Sequence, residues 1–136
     1  MPKLDHVLET ALYFDDLDAA ARFYDQVLEL TPMFGDARLK AYAIGNTVLL
    51  LFKRGASTET VQLPGGAIAP HDGAGPVHVA FAVARDELEP WERRLAVHGI
   101  AIESRVRWPK GSVSIYFRDP GQHLLELATP GLWMNY

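Results

Sequence analysis

The same order of elements is written into this chain twice, and no other feature narrows its fold so much. V-L-E-T-A-L-Y-F at 7–14 is an apolar, strand-like run. It is followed by a stretch in which Leu17, Ala20, Ala21, Tyr24, Val27 and Leu28 recur three and four apart, the spacing of a helix face. Asp15 or Asp16 can cap that helix, since an Asp side chain accepts a bond from a free N–H of the first turn. Strands are predicted at 32–34, 38–44 and 47–53, with Gly45-Asn46 turning between the last two. The second half repeats the plan. It has a strand at 77–83, a helix from Asp86 to about His98 with Asp86 and Glu89 at capping-box spacing, and strands at 100–105, 112–118 and 123–128. Residues 53–76, rich in Gly and Pro, form a linker or a loop over a pocket.

Three strand-like runs carry a polar residue followed two positions later by alanine: Glu9 and Ala11, His78 and Ala80, Glu126 and Ala128. Residues i and i+2 of a strand share a face, so each run presents a ligand-type side chain beside a small one. Two carboxylates and an imidazole over small neighbours describe a pocket for a divalent metal. Opposite faces are apolar: Leu8, Leu12 and Phe14 in the first run, and Val77, Val79, Phe81 and Val83 in the second. Those faces suit packing under a helix. Aligning 45–52 with 121–128 sets Leu50 against Glu126, and the first strands set Glu9 against His78.

Plainer readings stand beside these. His78 could be a core histidine satisfied by a hydrogen bond, and Glu9 could pair with a buried arginine. An unpaired Glu126 among Leu124, Leu125, Leu127 and Ala128 would be costly. His6 competes with Glu9, and only one of them can face the pocket. His123 reads as a turn residue, and His98 as a helix C-terminal one. His71, in P-H-D-G, could close over a site. Arg105, Arg107 and Lys110 read as a solvated edge or a clamp for an anion. Tyr42, Trp108, Tyr116 and Trp133 are candidates to line a substrate pocket. The apolar tail T-P-G-L-W-M-N-Y calls for packing on this chain or on a partner.

The formal charge of −4 argues against nucleic-acid binding. The absence of cysteine excludes disulfides, thiolate metal sites and a cysteine nucleophile. The first residues lack a signal-peptide layout, and no run approaches the ~20 apolar residues of a membrane helix. A cytoplasmic protein is the default reading.

The segments L-Y-F-D-D-L-D-A-A-A-R-F-Y-D-Q-V-L (12–28), V-H-V-A-F-A-V (77–83) and I-Y-F-R-D-P-G-Q-H-L-L-E-L-A-T-P (115–130) resemble the vicinal-oxygen-chelate superfamily, the group of glyoxalases, bleomycin-resistance proteins and dioxygenases. The resemblance implies an α+β fold of two paired βαβββ modules forming a cupped mixed sheet, with one main helix per module on the outer face. It implies a single glyoxalase-like domain over 1–136. Module one spans about 4–53, a connecting loop 54–76, module two 77–130 and the tail 131–136. Glu9, His78 and Glu126 fall on its metal-ligand positions, for Mn, Ni, Zn, Mg or Fe. It implies a homodimer acting on a small molecule, by lyase or isomerase chemistry in which a metal polarises substrate oxygens. The alternative is metal-free sequestration of a small molecule. Leu50, where four-ligand glyoxalase I carries glutamate, counts against that activity. Glu9 in place of histidine counts against an extradiol dioxygenase.

Overall fold

The structure is a computed structural model that describes residues 1–136. Its backbone contacts divide the chain into two units, Met1–Ala74 and Gly75–Tyr136.

The first unit runs β1 (Glu9–Phe14), α1 (Leu17–Gln26), β2 (Thr31–Gly35), β3 (Leu39–Ile44), β4 (Thr47–Lys53), β5 (Val61–Leu63) and β6 (Gly66–Ile68). Four strands form a mixed sheet in the order β1-β4-β3-β2, with β1 parallel to β4. The second unit runs β7 (His78–Ala82), a 3₁₀ turn at Arg85–Glu87, α2 (Leu88–Val97), β8 (Ser104–Arg107), β9 (Val113–Arg118) and β10 (Leu124–Ala128). Its sheet has the matching order β7-β10-β9-β8, with β7 parallel to β10. Each unit is therefore a βαβββ module, and the chain has the expected α+β architecture.

Strand alternation sets the core. In unit one, Leu12, Phe14, Leu49 and Leu51 are buried on one side of the sheet, as are Leu17, Ala20, Phe23 and Tyr24 of α1. Phe14 meets Tyr24 edge to face, with ring centres 6.2 Å apart. In unit two, Ile115, Phe117, Leu125 and Leu127 hold the same role and are at most 2% exposed. The intervening residues of each strand are left for the opposite, concave face.

α1 starts where Asp16 accepts a bond from Ala19 N at 3.0 Å, while Asp15 pairs with Arg54 at 2.8 Å. Asp16→Ala should cost about 1 kcal/mol, read from the urea midpoint at unchanged slope.

Several boundaries differ from the expectation. The capping box at Asp86 and Glu89 does not form. The 3₁₀ turn carries Asp86 inside helical backbone, and the extended residue preceding it is Ala84, with no side-chain bond. The strand expected at 100–105 begins at Ser104, where pairing to Tyr116 starts. Before it, Gly99 ends α2 at φ +69 and Ile100 N bonds back to Leu95 O at 2.8 Å. Residues 53–76 hold the β5–β6 hairpin rather than loop alone. Leu8 precedes β1 and is 59% exposed, so it does not join the core. Of the tail, Tyr136 packs onto unit two, its hydroxyl donating to Val83 O at 3.1 Å and Ala128 O at 2.7 Å.

Candidate functional site

The two sheets carry equivalent positions in equivalent register. In unit one Ala11 pairs with Leu50, and in unit two Ala80 pairs with Glu126. Glu9 and His78 each lie two residues earlier on the first strand. Each module therefore offers one ligand-type residue on its first strand, and only unit two adds a carboxylate on its last.

In unit two, His78, Ala80, Trp108, Tyr116, Glu126, Leu132 and Trp133 line a cavity of about 420 Å³. His78 Nδ1 stands 2.8 Å from Leu124 O. A carbonyl can only accept, so Nδ1 carries a proton, and the neutral form of His78 has its lone pair on Nε2. That lone pair faces Glu126 Oε1 at 3.1 Å. Two acceptors at this distance repel unless a cation lies between them: a proton on Nε2, or a metal ion. A histidine whose other nitrogen is fixed by a carbonyl is the common form of a metal ligand.

Glu126 is 4% exposed and is held from behind. Ser114 Oγ donates to Glu126 Oε2 at 2.5 Å, and Trp108 Nε1 donates to Ser114 Oγ at 2.9 Å. This relay aims the carboxylate and leaves Oε1 toward His78. Tyr116 pairs with Glu126 across β9 and β10, its ring centre 6.0 Å from that of His78. Burial, and then the Glu126 charge, raise the Tyr116 pKa, so its phenol stays protonated at the cavity. Ser114→Ala should weaken metal retention roughly 10–100-fold without unfolding the protein, as loss of an outer partner does elsewhere. Competition with a metal-indicator dye reads it.

In unit one, Glu9, Ala11, Tyr13, Arg38, Leu39, Leu50, Phe52, Ile68 and His71 line a cavity of about 460 Å³. Glu9 thus faces the concave side with Ala11. His6 lies outside that lining and pairs with its neighbour Asp5. The structure gathers no set of three or more His, Asp or Glu side chains that could hold a metal. His78 and Glu126 meet, and Glu9 belongs to the first unit. As a donor set, an imidazole nitrogen and a braced carboxylate fit a divalent cation of borderline hardness and leave open positions.

Three of the four aromatic candidates, Trp108, Tyr116 and Trp133, line the His78 cavity. Tyr42 does not line either cavity. It is 2% exposed, its hydroxyl is 3.4 Å from Ala21 O of α1, and burial raises its pKa. Its strand parity is that of the core: Tyr42 pairs with buried Leu49 on β4. His123 is not a surface turn residue. It is 2% exposed and its Nδ1 contacts both carboxylate oxygens of Asp119, at 3.0 and 2.9 Å. Arg105 pairs with Glu92, on the edge strand β8. Ser114 and Arg38 carried no motif; only their parity, Ser114 with Tyr116 and Arg38 just ahead of β3, could have found them.

The Glyoxalase/Bleomycin resistance protein/Dioxygenase superfamily matches residues 3–127, and the chain belongs to that superfamily. It is similar over almost its whole length to the crystal structure of a lactoylglutathione lyase from Agrobacterium tumefaciens, at 33% identity and a TM-score of 0.89, covering 98% of this chain and 99% of that one. It is 29% identical over 115 residues to metallothiol transferase FosB of Bacillus licheniformis, which covers 84% of this chain and 68% of that protein. The fosfomycin resistance protein FosX from Listeria monocytogenes shares the fold, at 20% identity and a TM-score of 0.67, covering 97% of this chain and 96% of that one.

Proposed function

We propose that the protein is a divalent-metal-dependent small-molecule enzyme of glyoxalase-like type, with lyase or isomerase chemistry, in which His78 and Glu126 hold the metal. One observation carries this reading: His78 Nε2, its ring fixed through Nδ1 by Leu124 O, faces a carboxylate that Ser114 braces. Glu9 is proposed as the third ligand, by its equivalent strand position and by the family resemblance. Bound there, the metal would act as a Lewis acid on a substrate carbonyl, enediolate or phosphonate oxygen. The residues of unit two supply the rest. Ser114 and Trp108 keep the carboxylate oriented, Tyr116 offers a protonated hydroxyl, and Trp108 and Trp133 give an apolar wall.

The relatives bound the chemistry to be tried: a lactoylglutathione lyase and a metallothiol transferase. Leu50 supplies no fourth ligand, which sets this chain apart from four-ligand glyoxalase I. The decisive assay compares protein loaded with Mn²⁺, Ni²⁺ or Zn²⁺ against chelator-treated protein on two reactions, lactoylglutathione turnover and thiol transfer to fosfomycin. Turnover that requires the metal supports an enzyme. Tight binding of fosfomycin or a bleomycin, equal with and without metal and with no product, supports the second reading, sequestration, which the Trp108 and Trp133 walls of the cavity favour. A homodimer and a cytoplasmic location belong to the same proposal. No helix here is long and apolar enough to cross a membrane. Sedimentation at micromolar concentration should give twice the chain mass, and a monomer would remove the dimer from the proposal.

A further inference from the structure

The cavity of unit one holds a second constellation that the metal reading does not use. Its floor is Phe52, 5% exposed, beside Tyr13 with ring centres 5.7 Å apart and planes inclined by 21°. His71 stands edge-on to Phe52 at 4.7 Å, and the Arg38 guanidinium carbon lies 5.7 Å from the same ring centre. A guanidinium and an imidazole therefore flank one aromatic ring.

Each is anchored at one end and unspent at the other. Arg38 Nη1 donates to Ser57 Oγ at 3.0 Å, and Ser57 O accepts from His71 N at 2.8 Å, so buried Ser57 ties both residues down. Asp36 Oδ1 accepts from the backbone N–H of Arg38 and Leu39 at 2.8 and 2.9 Å, and its charge acts on the Arg38 guanidinium through space rather than through a side-chain bond. Tyr13 Oη and His71 Nδ1 are 2.6 Å apart. Burial, and then the Asp72 charge, raise the Tyr13 pKa, so the phenol is the donor. His71 then carries its N–H on Nε2, which makes no bond within the protein. Gly73 permits this pairing, since a Cβ there would meet Tyr13 Cδ2 at 2.5 Å. Leu39, Leu50 and Ile68 complete an apolar wall, and the volume of about 460 Å³ suits a small molecule. Glu9, in the same lining, repels an anion placed beside it and so favours the Arg38 end.

We propose that this cavity binds a small oxyanion carried on an apolar body, its charged end on Arg38 and His71 Nε2 and its body on Leu39, Leu50 and Ile68. A guanidinium fork matches a carboxylate or a phosphonate in two-point fashion, and an aromatic floor strengthens it by keeping water away. The residues that hold the anion all belong to unit one; Glu9 of the same lining is the proposed third metal ligand, so binding is measured on metal-free protein.

Calorimetry on the full chain, stripped of metal by chelator, tests it with benzoate, phenylphosphonate and uncharged benzamide. At least one anion should bind with a Kd below about 10 mM, benzamide should not, and Arg38→Ala should weaken binding about tenfold or more. The better anion tells carboxylate from phosphonate. His71→Phe should give a smaller loss, and Arg38→Lys an intermediate one. Leu50→Glu puts a carboxylate in the same cavity and should reproduce the loss without touching Arg38, which covers the case in which Arg38→Ala folds poorly. The proposal is overturned if neither anion binds, if benzamide binds equally well, or if Arg38→Ala and Leu50→Glu both bind as the parent does. Metal uptake measured on the same variants should be unchanged for Arg38→Ala, which separates this site from the His78–Glu126 reading.

Discussion

Replacing Glu126 with alanine is expected to abolish metal retention while the protein stays folded. The carboxylate is the one anionic group beside the His78 lone pair, and it sits 4% exposed with Ser114 fixing its far oxygen. Loss of an outer partner costs roughly 10–100-fold in metal affinity, so loss of the ligand itself should exceed about 100-fold. The fold survives because truncation removes a buried charge rather than orphaning one. Ser114 keeps its bond from Trp108 Nε1, and His78 keeps its bond to Leu124 O. Glu126→Gln refines the test: it keeps the shape and the Ser114 contact but lacks the charge, and it should also lose the ion. Equilibrium dialysis against Mn²⁺ or Ni²⁺, with thermal melting as the fold control, reads both. If Glu126→Ala binds as tightly as the parent, His78 and Glu126 are an ion pair joined by a proton and not metal ligands.

The largest stability effect is expected at Asp119. Its Oδ1 accepts from Gly121 N at 2.9 Å and from His123 N at 3.0 Å, and both oxygens contact His123 Nδ1. Asp119 and His123 are both 2% exposed. Asp119→Ala removes one partner of a buried imidazole and the acceptor of two backbone donors in one step. A loss of about 3 kcal/mol or more is expected, since each buried group left unsatisfied costs about 1–3 kcal/mol. The consequence reaches the site. This turn joins β9 to β10 and fixes the register that sets Glu126 opposite Tyr116. Urea unfolding should therefore show a lower midpoint, and metal retention should weaken in protein that is still folded. His123→Phe, which removes the imidazole but leaves Asp119 its backbone donors, should cost less.

The paired modules were legible because period-2 alternation and helical spacing are local signals that repeat in both halves. In the first strand the face predicted for the helix side holds Leu12 and Phe14, and both are buried, whereas the last strands are apolar on both parities and needed the structure to show that Leu49, Leu51, Leu125 and Leu127 face the core. The equivalence of Leu50 and Glu126 followed from aligning 45–52 with 121–128, and the register of β1 with β4 and of β7 with β10 agrees with it. What escaped were relations set by contacts distant in sequence. Tyr42 has the composition of a pocket residue, and only its parity with Leu49 puts it in the core. His123 sits in a Pro-Gly turn that reads as surface, yet its neighbour four residues earlier draws it inward. The relay Trp108–Ser114–Glu126 depends on β9 lying beside β10, which no local motif encodes. Ser57, Arg38 and His71 come together only because the segment after β4 folds back over Phe52.

His78 and Glu126 hold a metal rather than share a proton if the purified chain carries a stoichiometric ion. Elemental analysis of the full chain, purified without chelator or added metal and then dialysed against Mn, Ni, Zn and Mg in turn, measures this directly. About one divalent ion per chain is expected, lost in Glu126→Ala and reduced in Glu9→Ala if Glu9 is the third ligand. A folded protein that takes up none of these ions would leave His78 and Glu126 as a proton-sharing pair with no metal role.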